Sequence, residues 1–287
     1  MNLYFISVLL GIVEGLTEFL PVSSTAHLRI SEALMKIPLD DPYWKMYTVV
    51  IQVGAILALC LLFLTRILDF LRTFPEGEDG RHTWLDHPIS LTIFAFVCTS
   101  VPALLLHKWS EKNLGSLTAM ALALLVGGIV MWAIDAWSDR SDPDTNHVEQ
   151  MSFGQAVWIG LCQTLSAIFP GASRSMTTIA AGQMAGLDRP SALEFSFLLS
   201  IPTMIAATGW DLVKEIHASK AAAAHVVMSS QRWTVLMIGT VVSFIVALGV
   251  VEWFLHWVRR HGFTIFAIYR ILLGLALLIF GARLTGA

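Results

Sequence analysis

The chain is 287 residues long, with 56% hydrophobic and only 14% charged residues. A soluble domain carries about 25% charged residues, so the composition excludes an ordinary soluble fold and indicates a polytopic membrane protein. The net charge of −3 provides no basic surface, and we expect no nucleic-acid partner. The three cysteines, at positions 60, 98 and 162, form neither a zinc-binding nor a disulfide pattern.

The first apolar segment, 5–36, does not match a single membrane span. An apolar helix is followed by Pro21 among small and polar residues, and then by a second short helix. Broken backbone at membrane depth is tolerated only where protein buries it or where it lines a wet cavity. The segment therefore predicts a helical hairpin that enters and leaves the membrane on the same side.

Stretches of about 20 apolar residues are long enough to cross the bilayer as helices. Three such stretches follow the first hairpin, at 45–71, 88–107 and 116–137. A second interrupted segment, 153–187, predicts another re-entrant hairpin. Three further spans follow it, at 192–213, 233–257 and 264–284. The expected fold class is an all-α polytopic membrane protein with six transmembrane helices and two re-entrant helical hairpins.

The two hairpin segments match each other at a constant offset of 149 residues. The matched residues are Gly11, Leu16, Pro21 and Ser24 with Gly160, Leu165, Pro170 and Ser173. On this alignment Gln163 replaces Glu14, Ala167 replaces Glu18, and Arg174 replaces Thr25.

Three predicted spans separate the hairpins, so the hairpins should enter from opposite faces and meet near the midplane, forming an inverted repeat. We expect one membrane domain, 1–287, with a first repeat at about 1–137 and a second at about 150–287. Lysines and arginines are divided almost evenly between the two sides, so the positive-inside rule does not determine orientation.

The most informative stretch is 14–27, EGLTEFLPVSSTAH. Glu14 and Glu18 lie four residues apart, on one helical face. Two carboxylates in a low dielectric must share a proton or bind a cation, and oxygen ligands suit a divalent ion such as Mg²⁺ or Ca²⁺. The alternative is that both acids are simply hydrated in a vestibule.

A helix that restarts after Pro21 places Ser23 or Ser24 at its N-cap. Free N–H groups and the positive end of the helix dipole make such a turn a phosphate site, with Thr25 as a further ligand. His27 lies one turn beyond Ser24, at a distance suited to proton transfer. The alternative is ordinary capping, with His27 as an interior residue.

The second hairpin supplies a cation in the run PGASRS at 170–175. The planar fork of Arg174 suits phosphate oxygens, although a structural arginine holding the hairpin is the alternative. The candidate phosphate ligands beside it are Gly171, Ser173, Ser175 and Thr178.

Other polar residues inside apolar segments are weaker candidates. Gln52, Gln163 and Glu194 are interpreted as supporting residues that brace the hairpins. Tyr269 and Arg270, near the start of the last span, are predicted to anchor it at the membrane interface.

These motifs together resemble the undecaprenyl-diphosphate phosphatase family, also called bacitracin-resistance proteins. The resemblance covers nearly the whole chain and includes VVIQVG at 49–54, EFSFLL at 194–199 and FAIYR at 266–270. Two positions depart from the usual family pattern. Ala26 and Met176 each stand where the family usually has glycine.

The resemblance implies an integral enzyme of the bacterial inner membrane. It would convert undecaprenyl diphosphate to undecaprenyl phosphate and phosphate, recycling the lipid carrier for peptidoglycan. It also implies divalent-cation dependence, a homodimer, competition with bacitracin for the substrate, and a site that opens to the periplasm.

The expected mechanism is in-line phosphoryl transfer between the hairpins. Ser24 is the first choice of nucleophile, with His27 as general acid or base and Glu18 as an alternative base. Arg174 would stabilise the phosphoryl oxygens. His27 as nucleophile is the rival mechanism. A lipid or small-anion transporter and a structural partner of envelope machinery are the rival functions.

Overall fold

The computed structural model describes residues 2–38, 41–77, 83–113, 116–140, 142–221 and 229–284. Parts of the predicted domain, among them Met1 and 285–287, lie outside these residues. The described chain is predominantly helical, and its β-structure is limited to an isolated bridge between Thr145 and Leu187.

Eleven α-helices form within the described chain. In order, they are α1 Leu3–Thr17, α2 Ser24–Leu34, α3 Pro42–Leu62, α4 Leu64–Thr73, α5 Pro88–Asn113, α6 Leu117–Ser138, α7 Phe153–Ile168, α8 Arg174–Met184, α9 Arg189–Ala221, α10 Ser230–His261 and α11 Thr264–Leu284. A short 3₁₀ turn, Val148–Gln150, precedes α7.

Six of these helices, α3, α5, α6, α9, α10 and α11, are long and apolar enough to cross a membrane, which confirms the predicted number of spans. The predicted span 45–71 is wrong in extent. α3 ends at Leu62, and α4 begins at Leu64 after a break at Phe63. α4 has 10 residues and carries three charges, at 66, 69 and 72, so it is too short and too polar to continue the span.

Both predicted interruptions are confirmed as helix, turn and helix. α1 ends at Thr17 and α2 begins at Ser24, while α7 ends at Ile168 and α8 begins at Arg174. α1 has 15 residues and α2 has 11, so their lengths are about 22 and 16 Å, well short of the ~30 Å hydrocarbon core. Neither helix of the pair can cross alone, and re-entry from one face stays a prediction.

Each hairpin packs against a span from the other half of the chain. α1 lies against α10, and α7 lies against α5. The approach is close at two equivalent glycines. A Cβ on Gly11 would lie 2.7 Å from the carbonyl oxygen of Gly239, and one on Gly160 would overlap the backbone of Ala95. These contacts leave no room for a side chain.

The contacts also give the relative directions of the helices. Contacting residues advance together along α1 and α10, and along α7 and α5, so both pairs are parallel. They advance in opposite senses along α6 and α11. Because consecutive spans alternate in direction, α1 and α7 must point in opposite directions. Inverted repeats require this packing, while the repeat boundaries at about 1–137 and 150–287 stay predictions.

We predict that Gly160→Val lowers the free energy of unfolding by about 1–3 kcal/mol or more, because the added side chain separates α7 from α5. The matched control is Gly249→Val in α10, where a Cβ meets no atom within 4 Å. Thermal unfolding of both variants in detergent provides the comparison. Equal midpoints for the two variants would show that the α5–α7 contact is not tight.

Candidate active site

Both broken helices restart at a serine with an unusual backbone conformation. Ser23 caps α2 with φ 73°, and Ser173 caps α8 with φ 71°. Each hydroxyl accepts the N–H three residues further on, from Ala26 at 3.4 Å and from Met176 at 3.3 Å. Positive φ is uncommon for residues with a side chain, and such strain is concentrated at functional sites. Both caps line the same cavity, so two helix N-termini suited to anions meet there.

The caps correct the predicted alignment of the repeats. Ser23 and Ser173 are 150 residues apart, not 149. The second turn therefore has one more residue between its proline and its cap than the first. The predicted equivalence of Ser24 with Ser173, and of Thr25 with Arg174, is wrong by one position. Ser24 corresponds to Arg174, since each is the first helical residue after its cap.

Glu18 joins the two hairpins. The Ser24 hydroxyl donates to its Oε2 at 2.5 Å, and Arg174 Nη2 donates to its Oε1 at 3.4 Å. The guanidinium also lies over the Phe19 ring, 5.7 Å from its centre. The Glu18 and Arg174 side chains are only 9% and 12% exposed, so water screens this ion pair weakly. Three of the predicted catalytic residues, Glu18, Ser24 and Arg174, are thus brought together.

Glu14 lies one turn before Glu18 and is fully buried. No described residue forms a hydrogen bond with either of its carboxylate oxygens, although it faces the charges of Glu18 and Arg174. Two carboxylates opposite one guanidinium leave an excess negative charge in a nearly dry site. A shared proton or a bound cation must compensate that charge.

The oxygen atoms of this pair fit a hard divalent cation. Carboxylate oxygens are the ligands that Mg²⁺ and Ca²⁺ prefer, and those of Glu14 are free to serve. Among the described residues, no group of three or more His, Cys, Asp and Glu side chains could hold a metal. Glu14 and Glu18 would therefore share the ion with oxygens of other kinds, including those of a bound anion.

His27 is bonded away from Ser24. Its Nδ1 lies 2.7 Å from the carbonyl oxygen of Ser23, which can only accept, so Nδ1 carries the hydrogen. Its Nε2 lies 2.6 Å from the hydroxyl of Tyr269, and the two rings stack with centres 5.6 Å apart. No hydrogen bond joins His27 to Ser24 in the described chain, so the predicted pairing of the two is not observed.

The site opens into a polar cavity of about 250 Å³. The predicted residues that line it are Glu18, Ser23, Ser24, Thr25, Gln52, Gln163, Gly171, Ser173 and Arg174. Thr99, Ser166 and Thr203 also line it and were missed, because single hydroxyls in apolar helices carry little signal. Gln163 donates to Thr99 and Thr203, each at 3.1 Å, and thus orders one wall of the cavity.

Three predicted residues support the site or lie outside it. The Ser175 hydroxyl donates to the carbonyl oxygen of Leu20 at 2.9 Å and so ties the hairpins together. Thr178 forms a buried hydrogen bond to a serine of α9. Glu194 pairs with Arg66 at 2.6 Å and braces α4, so its predicted support of the hairpins is not observed.

Arg270 is an important residue whose position the sequence pattern predicted wrongly. It is 0% exposed, so the predicted interfacial anchor is wrong. Its guanidinium donates to the carbonyl oxygens of Pro21, Gly171, Ala172 and Ala123 at 3.0–3.2 Å. The sequence did contain a signal, a lone arginine two turns inside an apolar span. Such a charge is costly in a membrane, so it usually marks a functional or paired residue.

A carboxylate-bound serine, a buried guanidinium and two helix N-termini in one intramembrane cavity are typical of a membrane protein that acts on phosphate groups. The chain matches the family model described as bacitracin resistance protein BacA over residues 7–276. It therefore belongs to that family, which confirms the resemblance in its motifs.

Relatives of known name align with nearly the whole chain. The undecaprenyl-diphosphatase of Koribacter versatilis is 57% identical, over 97% of this chain and 98% of the relative. Proteins of the same name from Caldanaerobacter subterraneus and Rhizobium etli are 41% and 39% identical, covering 97% and 99% of this chain and 96% and 98% of the relatives. The transporter alternative is not supported by these comparisons.

The geometry predicts that neutral His27 carries its hydrogen on Nδ1, because a carbonyl oxygen faces that atom. Nitrogen NMR of labelled histidine should report this tautomer, with the resonance assigned through a His27→Gln variant. Tyr269→Phe removes the donor to Nε2 and should shift that resonance. The control Tyr4→Phe, at the exposed start of α1, should not. A hydrogen on Nε2 would contradict the geometry.

Proposed function

We propose that the chain hydrolyses undecaprenyl diphosphate to undecaprenyl phosphate and inorganic phosphate in the polar cavity, recycling the lipid carrier for peptidoglycan. The observation that carries the proposal is that Glu18 binds both the Ser24 hydroxyl and the Arg174 guanidinium. A nucleophile, a base and a fixed cation from two distant parts of the chain thus meet at one point. These are the parts that phosphoryl transfer needs.

Ser24 is the proposed nucleophile, and Glu18 is its base. The Ser24 oxygen attacks the terminal phosphorus while its proton passes to Glu18 Oε2, 2.5 Å away. The bridging P–O bond breaks, and undecaprenyl phosphate leaves with the proton returned from Glu18. Water then attacks the phosphoserine, Glu18 accepts a proton from that water, and Ser24 recovers its hydrogen as phosphate is released.

Arg174 is proposed to bind the phosphoryl oxygens. Its Nε and Nη1 are buried and have no hydrogen-bond partner among the described residues. These donors remain free while Nη2 contacts Glu18. N–H groups held before the reaction stabilise the transition state without having to reorganise. The positive dipole ends at the N-termini of α2 and α8 would stabilise the same negative charge.

A divalent cation, Mg²⁺ or Ca²⁺, is proposed to bind at Glu14 and Glu18. When bound, it would neutralise charge on the diphosphate. The buried oxygens of Glu14 support this assignment, since a carboxylate without hydrogen bonds is costly at this depth.

The prenyl tail is proposed to occupy an apolar groove of about 550 Å³ between α6, α7 and α8. Pro170 lines both the groove and the polar cavity, so a single lipid can reach from one into the other. Met176, one of the departures from the family pattern, lies on the groove wall. Apolar area buried along the groove would supply affinity at about 25 cal/mol per Å².

The membrane and the orientation of the cavity complete the proposal. The chain is a multi-pass protein of a bacterial membrane. We further propose that the membrane is the inner membrane, that the cavity opens to the periplasm, that bacitracin competes for the diphosphate substrate, and that the protein forms a homodimer.

The first experiment measures phosphate release from undecaprenyl diphosphate by purified protein, with and without EDTA. We expect EDTA to abolish release. Glu18→Gln and Arg174→Ala should each lower kcat by about 100- to 1,000-fold, since each removes a group that acts on the reacting atoms. Glu194→Gln is the matched control, because it makes the same change outside the cavity. Folded wild-type protein that releases no phosphate, across several prenyl diphosphates and cations, would refute the proposal.

The identity of the nucleophile predicts the chemistry of a trapped intermediate. Rapid quenching with labelled substrate should yield a phosphoenzyme that survives acid and is lost in base, as phosphoserine is. Ser24→Ala should abolish it, while Thr234→Ala, an exposed hydroxyl in α10, should not. A phosphoenzyme that survives base and is lost in acid would instead assign the nucleophile to His27.

A further inference from the structure

Arg270 reaches both helix-breaking turns from a third element. Nη1 donates to the carbonyl oxygen of Pro21 in the first turn, at 3.2 Å. Nη2 donates to Gly171 at 3.2 Å and to Ala172 at 3.0 Å in the second turn, and to Ala123 of α6 at 3.2 Å. One planar group therefore fixes the separation of two turns that are about 150 residues apart in the chain.

The acceptors of Arg270 are neutral. No Asp or Glu of the described chain forms a salt bridge with it, and its side chain is completely buried. A buried charge without a counter-ion is costly in a membrane protein. Helix packing alone does not require such a charge, because an apolar residue of similar volume would pack equally well. The carbonyl oxygens that Arg270 binds therefore explain why a charged residue stands at this position.

One of these carbonyls belongs to the peptide that joins Ala172 to Ser173, a residue that lines the polar cavity. The peptide between Ala172 and Ser173 is trans, so its N–H points opposite to its C=O. The C=O is directed at Arg270, and the N–H of Ser173 is therefore directed away from it. Ser173 lines the polar cavity, and no described residue accepts its N–H.

We infer that Arg270 is a positioning residue for phosphoryl transfer. It sets the distance between the two turns, and through the Ala172–Ser173 peptide it aims and polarises the Ser173 N–H as a donor to the terminal phosphate. The positive φ of Ser173, 71°, is held by the same contact, since the preceding carbonyl is fixed. The inference rests on the proposed phosphatase activity at this site.

A structural role alone and a positioning role make different predictions for Arg270→Lys. A lysine keeps the charge but presents one nitrogen in place of the two that divide between the turns. If Arg270 only stabilises the fold, the folded variant keeps wild-type kcat, KM and phosphate affinity. If Arg270 positions the site, kcat falls while the unfolding midpoint changes little.

A second variant perturbs the same guanidinium without removing it. A Cβ on Gly127 would lie 2.5 Å from Arg270 Nη2 and 2.7 Å from the end of Met176, so Gly127→Ala must displace the fork. Gly249→Ala makes the same change in a helix where the Cβ meets no atom within 4 Å. Gly127 and Met176 also line the proposed prenyl groove, so the affinity for inorganic phosphate is the deciding comparison between Gly127→Ala and Gly249→Ala where Arg270→Lys does not fold.

The experiment measures kcat, KM and the inhibition constant of inorganic phosphate for wild type, Arg270→Lys, Gly127→Ala and Gly249→Ala. We expect Arg270→Lys and Gly127→Ala to lose about 10- to 100-fold in kcat, less than the direct loss of a hydrogen-bond donor to a transition state, because the Ser173 N–H is misaligned and not removed. Both variants should also bind phosphate more weakly. Gly249→Ala should match wild type. Folded variants with wild-type kcat and phosphate inhibition would overturn the inference.

Binding of inorganic phosphate, measured by calorimetry without turnover, separates this inference from the proposed function. Failure of wild type to hydrolyse the lipid would refute the proposed function. Weaker phosphate binding in Arg270→Lys and Gly127→Ala than in Gly249→Ala would still support the positioning role. Equal phosphate binding in all four proteins would refute it.

Discussion

Backbone that leaves a helix inside a hydrocarbon layer must find donors for its carbonyl oxygens within the protein. In this chain one guanidinium meets much of that need, since Arg270 binds carbonyl oxygens in both turns. The Ser175 hydroxyl binds a further one, at Leu20. The donors come from α8 and α11, elements far from the first turn in sequence. Both helix-breaking turns therefore depend on donors that only the assembled fold supplies.

The packing of the spans explains how the assembled fold keeps these turns in place. Each hairpin lies against a helix of the other half, α1 on α10 and α7 on α5, with glycine at the closest approach. The halves are thus interlocked, and separating them would expose both hairpins at once. This rigid frame offsets the strain of two caps with positive φ, Ser23 and Ser173. Both strained caps line the polar cavity.

The sequence predicted whatever depends on local composition and pattern. Runs of apolar residues located the six spans, and Pro21 and Pro170 located both interruptions. The break at Phe63 was not predicted, because the hydrophobic pattern continues across it into α4. His27 was predicted beside Ser24 from helical spacing, but a tyrosine 242 residues away decides where the ring is held. Arg270 was placed at the interface because sequence position does not report depth, and its acceptors are remote in the chain.

The extra residue in the second turn has a consequence for how such a site can arise. In the corrected alignment, Ser24 and Arg174 occupy the same position in the two halves. Two copies of the first half, paired about a twofold axis, would present two hydroxyls and four carboxylates with no cation. Two copies of the second half would present two guanidiniums with no base. A symmetric ancestor could have the architecture without this set of groups, which required the halves to become different at Ser24 and Arg174 and also at Glu14 and Glu18, where the second half has Gln163 and Ala167.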